Sequence, residues 1–264
     1  MTRPIRLGAV DYLNARPLVY GIELRHPPFT LRFDLPSKCA ALLHEGSIDV
    51  GMIPSIEYLR GAPYRIVPEA GIVSVGAVES VALFTTTPLD KVKTIAADTS
   101  SRTSNALLHI LCMERFGIDP VFHPMRPDAA TMLNRCDAAL LIGDPALFLD
   151  YESLGASKID LGAEWNAMTG LPFVWAFWAG RPGALTKDAV RALLAARDAG
   201  VAASDQIAAA YCGPERAARG QAYLRDNIRY SLGEREEDGL RMYYELAGKH
   251  GVVEAVVPPA FYHR

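Results

Sequence analysis

The stretch ALLHEGSIDVGMIPSIEYL, Ala41–Leu59, is echoed later in the chain by TMLNRCDAALLIGDPALFL, Thr131–Leu149. Each runs through a short helical pattern, a turn, an Asp, an apolar strand and a Pro-containing break into another helix. The likeness is one of pattern, too weak to count as a sequence repeat. It nevertheless points to two lobes built alike, one holding Ile5–Leu59 and the other Val92–Asp150.

Around this pair, short β-like runs alternate with helical patterns. The expected strands are Ile5–Val10, Thr30–Asp34, Asp49–Ile53, Val81–Thr85, Lys93–Ala97, Val121–Pro124, Ala138–Ile142 and Phe173–Trp178. Between them the expected helices are Pro17–Leu24, Ser37–Glu45, Ile56–Arg60, Ser104–Phe116, Ala129–Asn134 and Ala146–Asp150. Such alternation predicts an α/β protein with parallel sheets and crossover helices. From Lys187 onward the pattern turns helical: Lys187–Gly200, Ser204–Tyr211, Glu215–Leu232 and Glu234–His250. Val81–Pro88 and Phe173–Gly183 then read as crossovers, with the C-terminal helices returning to the first lobe. The expected division is residues 1–87 with 179–264 for one lobe and 88–178 for an inserted second. Two-lobed proteins of this kind bind ligands in the cleft between lobes.

Composition narrows the partners. With Lys+Arg 27 and Asp+Glu 30, the net charge over 264 residues is 27 − 30 = −3. That gives no support to a nucleic-acid-binding surface. The most apolar stretches, Leu171–Ala179 and Ala138–Leu149, are too short to span a bilayer, so no membrane partner is expected. MTRPIRLGAVDYLNARPL lacks the continuous apolar core and cleavage site of a secretory signal, and a cytoplasmic location is expected. Cys39, Cys112, Cys136 and Cys212 are scattered and read as buried free thiols. The six His residues show no metal-ligand spacing, and no P-loop, GxGxxG or GxSxG motif is present; neither metal nor cofactor is expected.

The candidate site rests on strand-to-helix junctions. These are Asp11–Pro17, Ile53–Glu57, Asp98–Asn105 and Ile142–Pro145. In an open parallel sheet the C-terminal strand ends share one edge, where helix N-termini present free N–H groups and partial positive charge. An anion, above all a carboxylate or phosphate, is the favoured ligand. DTSSRTS, Asp98–Ser104, is the strongest of these loops. Its five hydroxyls surround a predicted helix start, and Arg102 adds a fixed charge. The alternative is a well-capped helix with Arg102 paired to Asp98. Asn14 is either a capping residue or an uncharged group orienting a hydroxyl or carboxylate. Asp144-Pro145 reads first as an N-cap followed by an N1 proline, and Ser55 reads similarly. Ser80 faces either a neighbouring strand or the cleft. Of Trp165, Trp175 and Trp178, one ring is a candidate for the cleft wall, and the rest belong to the core.

Six stretches together carry a family resemblance: GAVDYLNARPL, IDVGMIPSIEYL, SVGAVESVALFT, ADTSSRTSNALL, ALLIGDPAL and DLGAEWNAMTGLPFVWAFW. In this order, from about Leu7 to Trp178, they resemble the chorismate dehydratase family of the futalosine route to menaquinone. The resemblance implies a periplasmic-binding-protein-like (type II) fold turned into a cytoplasmic enzyme, a hydro-lyase. It also implies the reaction, in which chorismate, a small dicarboxylate, loses water to give 3-[(1-carboxyvinyl)oxy]benzoate. By motif, Asn14 is then the catalytic candidate. Ser55, Ser80, Ser101, Arg102, Thr103, Ser104, Ile142, Gly143 and Asp144 are expected to bind substrate. No His lies in a matched motif, so the general base is not evident; a substrate carboxylate taking the C3 proton would explain that gap. Glu79 and Thr85 depart from the smaller or serine residues expected there. The other functions weighed are 1,4-dihydroxy-6-naphthoate synthase of the same pathway, expected to use a His of the second lobe, and a non-catalytic solute-binding protein of the same fold.

Overall fold

The computed structural model describes residues 3–263. Its strands run β1 (Ile5–Val10), β2 (Phe29–Asp34), β3 (Val50–Pro54) and β4 (Arg65–Ser74), then β5 (Val81–Thr85), β6 (Thr94–Asp98), β7 (Val121–Met125), β8 (Ala138–Ile142) and β9 (Ser157–Asp160), and finally β10 (Phe173–Gly180). They form two sheets of five, ordered β2-β1-β3-β10-β4 and β7-β6-β8-β5-β9. In each sheet the first three strands are parallel, and the fourth is antiparallel to both of its neighbours. The central strands β3, β5, β8 and β10 are buried along their whole length, as strands covered on both faces must be.

The helices are α1 (Pro36–Glu45), α2 (Thr103–Leu111), α3 (Ala129–Arg135), α4 (Gly143–Leu147), α5 (Leu161–Thr169), α6 (Lys187–Ala202), α7 (Ser204–Cys212), α8 (Ala217–Ala222) and α9 (Glu234–Lys249). The junctions at Leu13–Val19 and Ser55–Leu59 are tighter 3-10 turns rather than α-helix. Among the described residues no helix is long and apolar enough to cross a membrane.

The sheets share the strands differently from the expected division. Val81–Thr85 pairs with β8 and β9, so it belongs to the second sheet, not to a lobe ending at residue 87. Phe173–Gly180 pairs with β3 and β4 in the first sheet, so a second lobe cannot run to 178. The connections between sheets therefore fall at residues 75–80 and 161–172. Two strands and one helix lie outside the expected set. β4 carries Pro68 and a Glu69 at φ +61°, which break its apolar alternation, and β9 has only four residues. Both are edge strands, where pairing rather than pattern makes the strand. The helix is α5, capped by the Asp160 carboxylate accepting from the Ala163 amide.

The C-terminal helices do return to the first sheet. α6 and α7 pack on the Leu13–Val19 turn, and α6 also lies against β4. Gly200 allows the close approach: a Cβ there would stand 2.0 Å from the Pro17 carbonyl oxygen. α9 packs on both β10 and α2, and so touches both lobes. The expected helix Glu215–Leu232 ends early. After α8 and a π-helical turn, Tyr223–Asn227, the chain extends, and Arg229 makes an antiparallel bridge with Val73 of β4. Near the C-terminus Phe261 bridges Ile66 of the same strand, so two segments cover that edge.

Candidate active site

Between the sheets lies a cavity of about 60 Å³ at the C-terminal strand ends. Asn14, Ser80, Ser101, Thr103, Ser104, Ile142 and Gly143 all line it. Tyr12 and Trp175 complete the polar wall, and Val10, Ile72 and Val78 are among its apolar lining. Every residue that lines it is uncharged.

Asn14 enters on the 3-10 turn that follows β1. Two tyrosines from the C-terminal segment hold it. The Tyr230 hydroxyl donates to the Asn14 carbonyl at 2.9 Å, and the Tyr223 hydroxyl interacts with the Asn14 side chain. Tyr223 also lies 2.7 Å from Ser80 Oγ, so one phenol ties together residues from two strand ends. Burial pushes the Tyr223 pKa upward, and the phenol stays protonated. Neither tyrosine was flagged by the sequence, because within a predicted helix each reads as a core aromatic.

Ser80 follows the left-handed Glu79, at φ +63°. The Asp160 carboxylate fixes this corner by accepting from the Val78 and Glu79 amides at 3.0 and 2.6 Å. The Glu79 side chain is drawn to Lys158 Nζ at 2.6 Å, which accounts for an acidic residue beside the cavity that does not line it. Thr85 lies farther off, donating to the Thr87 carbonyl.

The DTSSRTS loop turns on Asp98. Its Oδ1 accepts the amide and hydroxyl of Ser100, while Ser101 Oγ accepts the Ser104 amide in the first turn of α2. Ser101, Thr103 and Ser104 therefore present hydroxyls beside the α2 N-terminus, as an anion site requires. Arg102 does not join them. Its guanidinium turns to the fully buried Glu57 carboxylate of the first lobe, 2.8 Å away, and pairs neither with ligand space nor with Asp98. Arg60 and His44 also bind Glu57, so the expected fixed charge serves as a tie between lobes.

Two other expected ligands are likewise committed to the protein. Ser55 Oγ lies 3.4 Å from Thr103 Oγ1, which also accepts the Ile56 amide. Asp144 Oδ1 accepts the Leu13 amide at 3.2 Å and Oδ2 accepts the Tyr211 hydroxyl at 2.6 Å. Burial raises the pKa of Asp144, against the pull of these two donors. Adjacent tyrosines of α9 brace the two junctions from behind. Tyr243 donates to the Thr103 carbonyl and Tyr244 to that of Ser55.

Tyr12 also lines the cavity, from YLNARP beside Asn14, where its local sequence does not distinguish it from a core aromatic. Its ring crosses from the first lobe to lie on Gly143 of the second. Trp175 is the indole in the cavity wall, oriented by its Nε1–H donating to Ser74 Oγ at 3.0 Å. His109 packs against Phe122 with the rings tilted, away from the cavity lining.

Residues 5–249 match a family model described as menaquinone biosynthesis. The chain is 31% identical over 270 residues to the chorismate dehydratase of Thermus thermophilus, covering 93% of this chain and 96% of that one. Among solved structures, a protein of Archaeoglobus fulgidus superposes with TM-score 0.76 at 20% identity, over 95% of this chain and 98% of the other. A Candida albicans protein described as having the generic periplasmic binding protein fold superposes with TM-score 0.67 at 10% identity, over 100% and 99%. These structural likenesses establish the fold, two lobes of the periplasmic-binding-protein type. The sequence matches go further: the chain belongs to the menaquinone biosynthesis family.

Proposed function

We propose that this protein is a chorismate dehydratase, a lyase converting chorismate to 3-[(1-carboxyvinyl)oxy]benzoate. The observation that carries the reading is the full-length similarity to the Thermus thermophilus enzyme, combined with a cavity lined mostly by residues of the six stretches that carry the family resemblance. In this reading the enzyme works in the cytoplasm, on the futalosine route, and the lobes divide within residues 75–80 and 161–172.

The roles follow from position. Chorismate carries two carboxylates, and the cavity meets them with neutral groups: the hydroxyls of Ser101, Thr103 and Ser104 beside the α2 N-terminus, and that of Ser80. Such donors, fixed before substrate arrives, suit a dianion without a countercharge that must be desolvated. The elimination removes the C3 proton and the C4 hydroxyl, and aromatisation drives it. Asn14, held on both its backbone and side chain, donates from its amide to the departing hydroxyl. The lining offers no carboxylate and no His to act as base, so the enolpyruvyl carboxylate of the substrate takes the proton. The same lack of a cavity His weighs against 1,4-dihydroxy-6-naphthoate synthase.

The test is to incubate purified protein with chorismate and follow absorbance and mass. A product lighter by one water is the expected result. Chorismate that binds but is recovered intact would make the protein a solute-binding relative instead. Asn14→Ala is expected to bind substrate, keep the fold and lose turnover; full activity in that variant would remove Asn14 from the chemistry.

A further inference from the structure

A separate pocket of about 510 Å³ adjoins the cavity at Ser101, which lines both. Its volume falls in the range of small-molecule sites, about 300–1,000 Å³. Both lobes build it. Arg60 follows the Ser55–Leu59 turn of the first lobe, while Thr99, Arg102, His109 and Phe122 come from β6, α2 and β7 of the second.

Among the described residues that line this pocket, none is acidic. Arg60 and Arg102 share the Glu57 carboxylate, at 3.2 and 2.8 Å, but Glu57 is fully buried and does not reach the lining. Two guanidiniums thus outnumber the one carboxylate that holds them in place, and both remain partly exposed, at 35% and 40%. Arg102 engages Glu57 through one nitrogen; Arg60 engages Glu57 and the Val252 carbonyl. A guanidinium carries five N–H donors in a planar fork, so each keeps donors for a further acceptor. The buried Glu57 fixes both forks before any ligand arrives, which lowers the cost of ordering them around an anion.

The rest of the pocket suits the body of such an anion. The rings of Phe122 and His109 lie 5.7 Å apart, tilted by 57°, and both residues are half-buried. That gives an aromatic wall on which a flat ring can pack. The exposed Thr99 adds a hydroxyl. One guanidinium in excess of Glu57 matches a singly charged group, and a planar carboxylate meets the arginine fork with two parallel bonds. We propose that this pocket is a second ligand site, distinct from the cavity, that takes a small aromatic monocarboxylate. The carboxylate sits between Arg60 and Arg102, and the ring packs on Phe122 and His109. The site stands independently of the dehydratase reading, since it uses no residue assigned to the chemistry.

The experiment is a calorimetric titration of benzoate into the wild type, Arg60→Gln, Arg102→Gln and Ser80→Ala, with the melting temperature of each measured alongside. Benzoate is expected to bind the wild type one to one. Each folded Arg variant should weaken it about tenfold or more, the effect of losing one charge-assisted hydrogen bond. Ser80→Ala changes the cavity and not this pocket, and should bind benzoate as the wild type does. Inorganic phosphate should bind more weakly than benzoate. No benzoate binding at millimolar concentration, or an affinity that falls in Ser80→Ala but in neither Arg variant, would overturn the site. Phosphate bound as tightly as benzoate would overturn the aromatic class. Should Arg60→Gln fail to fold, Arg102→Gln decides alone, because Glu57 there keeps Arg60 and His44.

Discussion

Gly143 lies under the ring of Tyr12 so closely that a Cβ built on the glycine would stand 2.7 Å from the ring carbons. The backbone there has φ +63°, a conformation that L side chains adopt at a cost. Sequence placed Gly143 at a helix start as part of IGD. The structure gives it a second duty, as the surface on which the first lobe lands. Gly143→Ala is therefore expected to destabilise the protein by about 2 kcal/mol, strain and overpacking together. It should also lower kcat/KM at least tenfold, because Tyr12 and the α4 junction can no longer meet. Thermal melting and steady-state kinetics check the two halves separately; a variant with wild-type kcat/KM would remove the Tyr12–Gly143 contact from the working state.

Tyr223 offers a cleaner test of how the site is held. Its ring is buried, and its hydroxyl serves Ser80 and Asn14 at once. Tyr223→Phe keeps the ring and strands the buried Ser80 hydroxyl, for a loss of about 1–3 kcal/mol in stability. Turnover should fall with it, about tenfold or more, since Asn14 loses the partner that fixes its amide. Normal kcat in a destabilised Tyr223→Phe would show that Asn14 is oriented by other means.

What could be read from the sequence follows a physical line. The parallel strands at the sheet centres are continuous apolar runs bounded by Gly, Pro and Asp, a local signal that survives without knowledge of neighbours. β4 and β9 are strands because of what they pair with, and Pro68 or sheer brevity hides them. The cavity was legible wherever a junction hydroxyl or glycine lines it directly. Arg102 turns away from the cavity because its partner is contributed by the other lobe: nothing near DTSSRTS announces that Glu57, distant in sequence, is buried opposite and pairs with cations. Tyr223 and Tyr230 escaped for the same reason, their hydroxyls being satisfied only through long-range contacts.

The placement of Arg102 can be checked directly. Its side chain is 40% exposed and pairs with Glu57, which keeps Arg60 and His44 if Arg102 is removed. Arg102→Gln should therefore reduce stability by about 1 kcal/mol or less. KM for chorismate should change less than about threefold, as expected of a group outside the cavity. A KM raised by tenfold or more, with the melting temperature unmoved, would return the guanidinium to the substrate.

The size of the cavity sets the last expectation. About 60 Å³ holds roughly two waters, whereas small-molecule sites run to about 300–1,000 Å³. Substrate therefore enters an opened cleft, and opening must break the ties that cross it. Among these is the 2.6 Å bond from the Tyr211 hydroxyl to Asp144, a neutral donor on a half-buried carboxylate. A bond to a charged acceptor is worth about 1.5–3 kcal/mol, enough to shift a two-state equilibrium about tenfold or more. Tyr211→Phe removes it from the closed state and leaves the cavity lining unaltered, because Tyr211 is not part of that lining. The free variant should scatter X-rays with a larger radius of gyration than the free wild type, and added chorismate should bring the two together. Since substrate binding must then supply the lost closing energy, KM should rise about tenfold while kcat, measured at saturation in the closed complex, changes by less than about threefold. Equal radii and an unchanged KM would mean that the Asp144–Tyr211 contact does not hold the cleft shut.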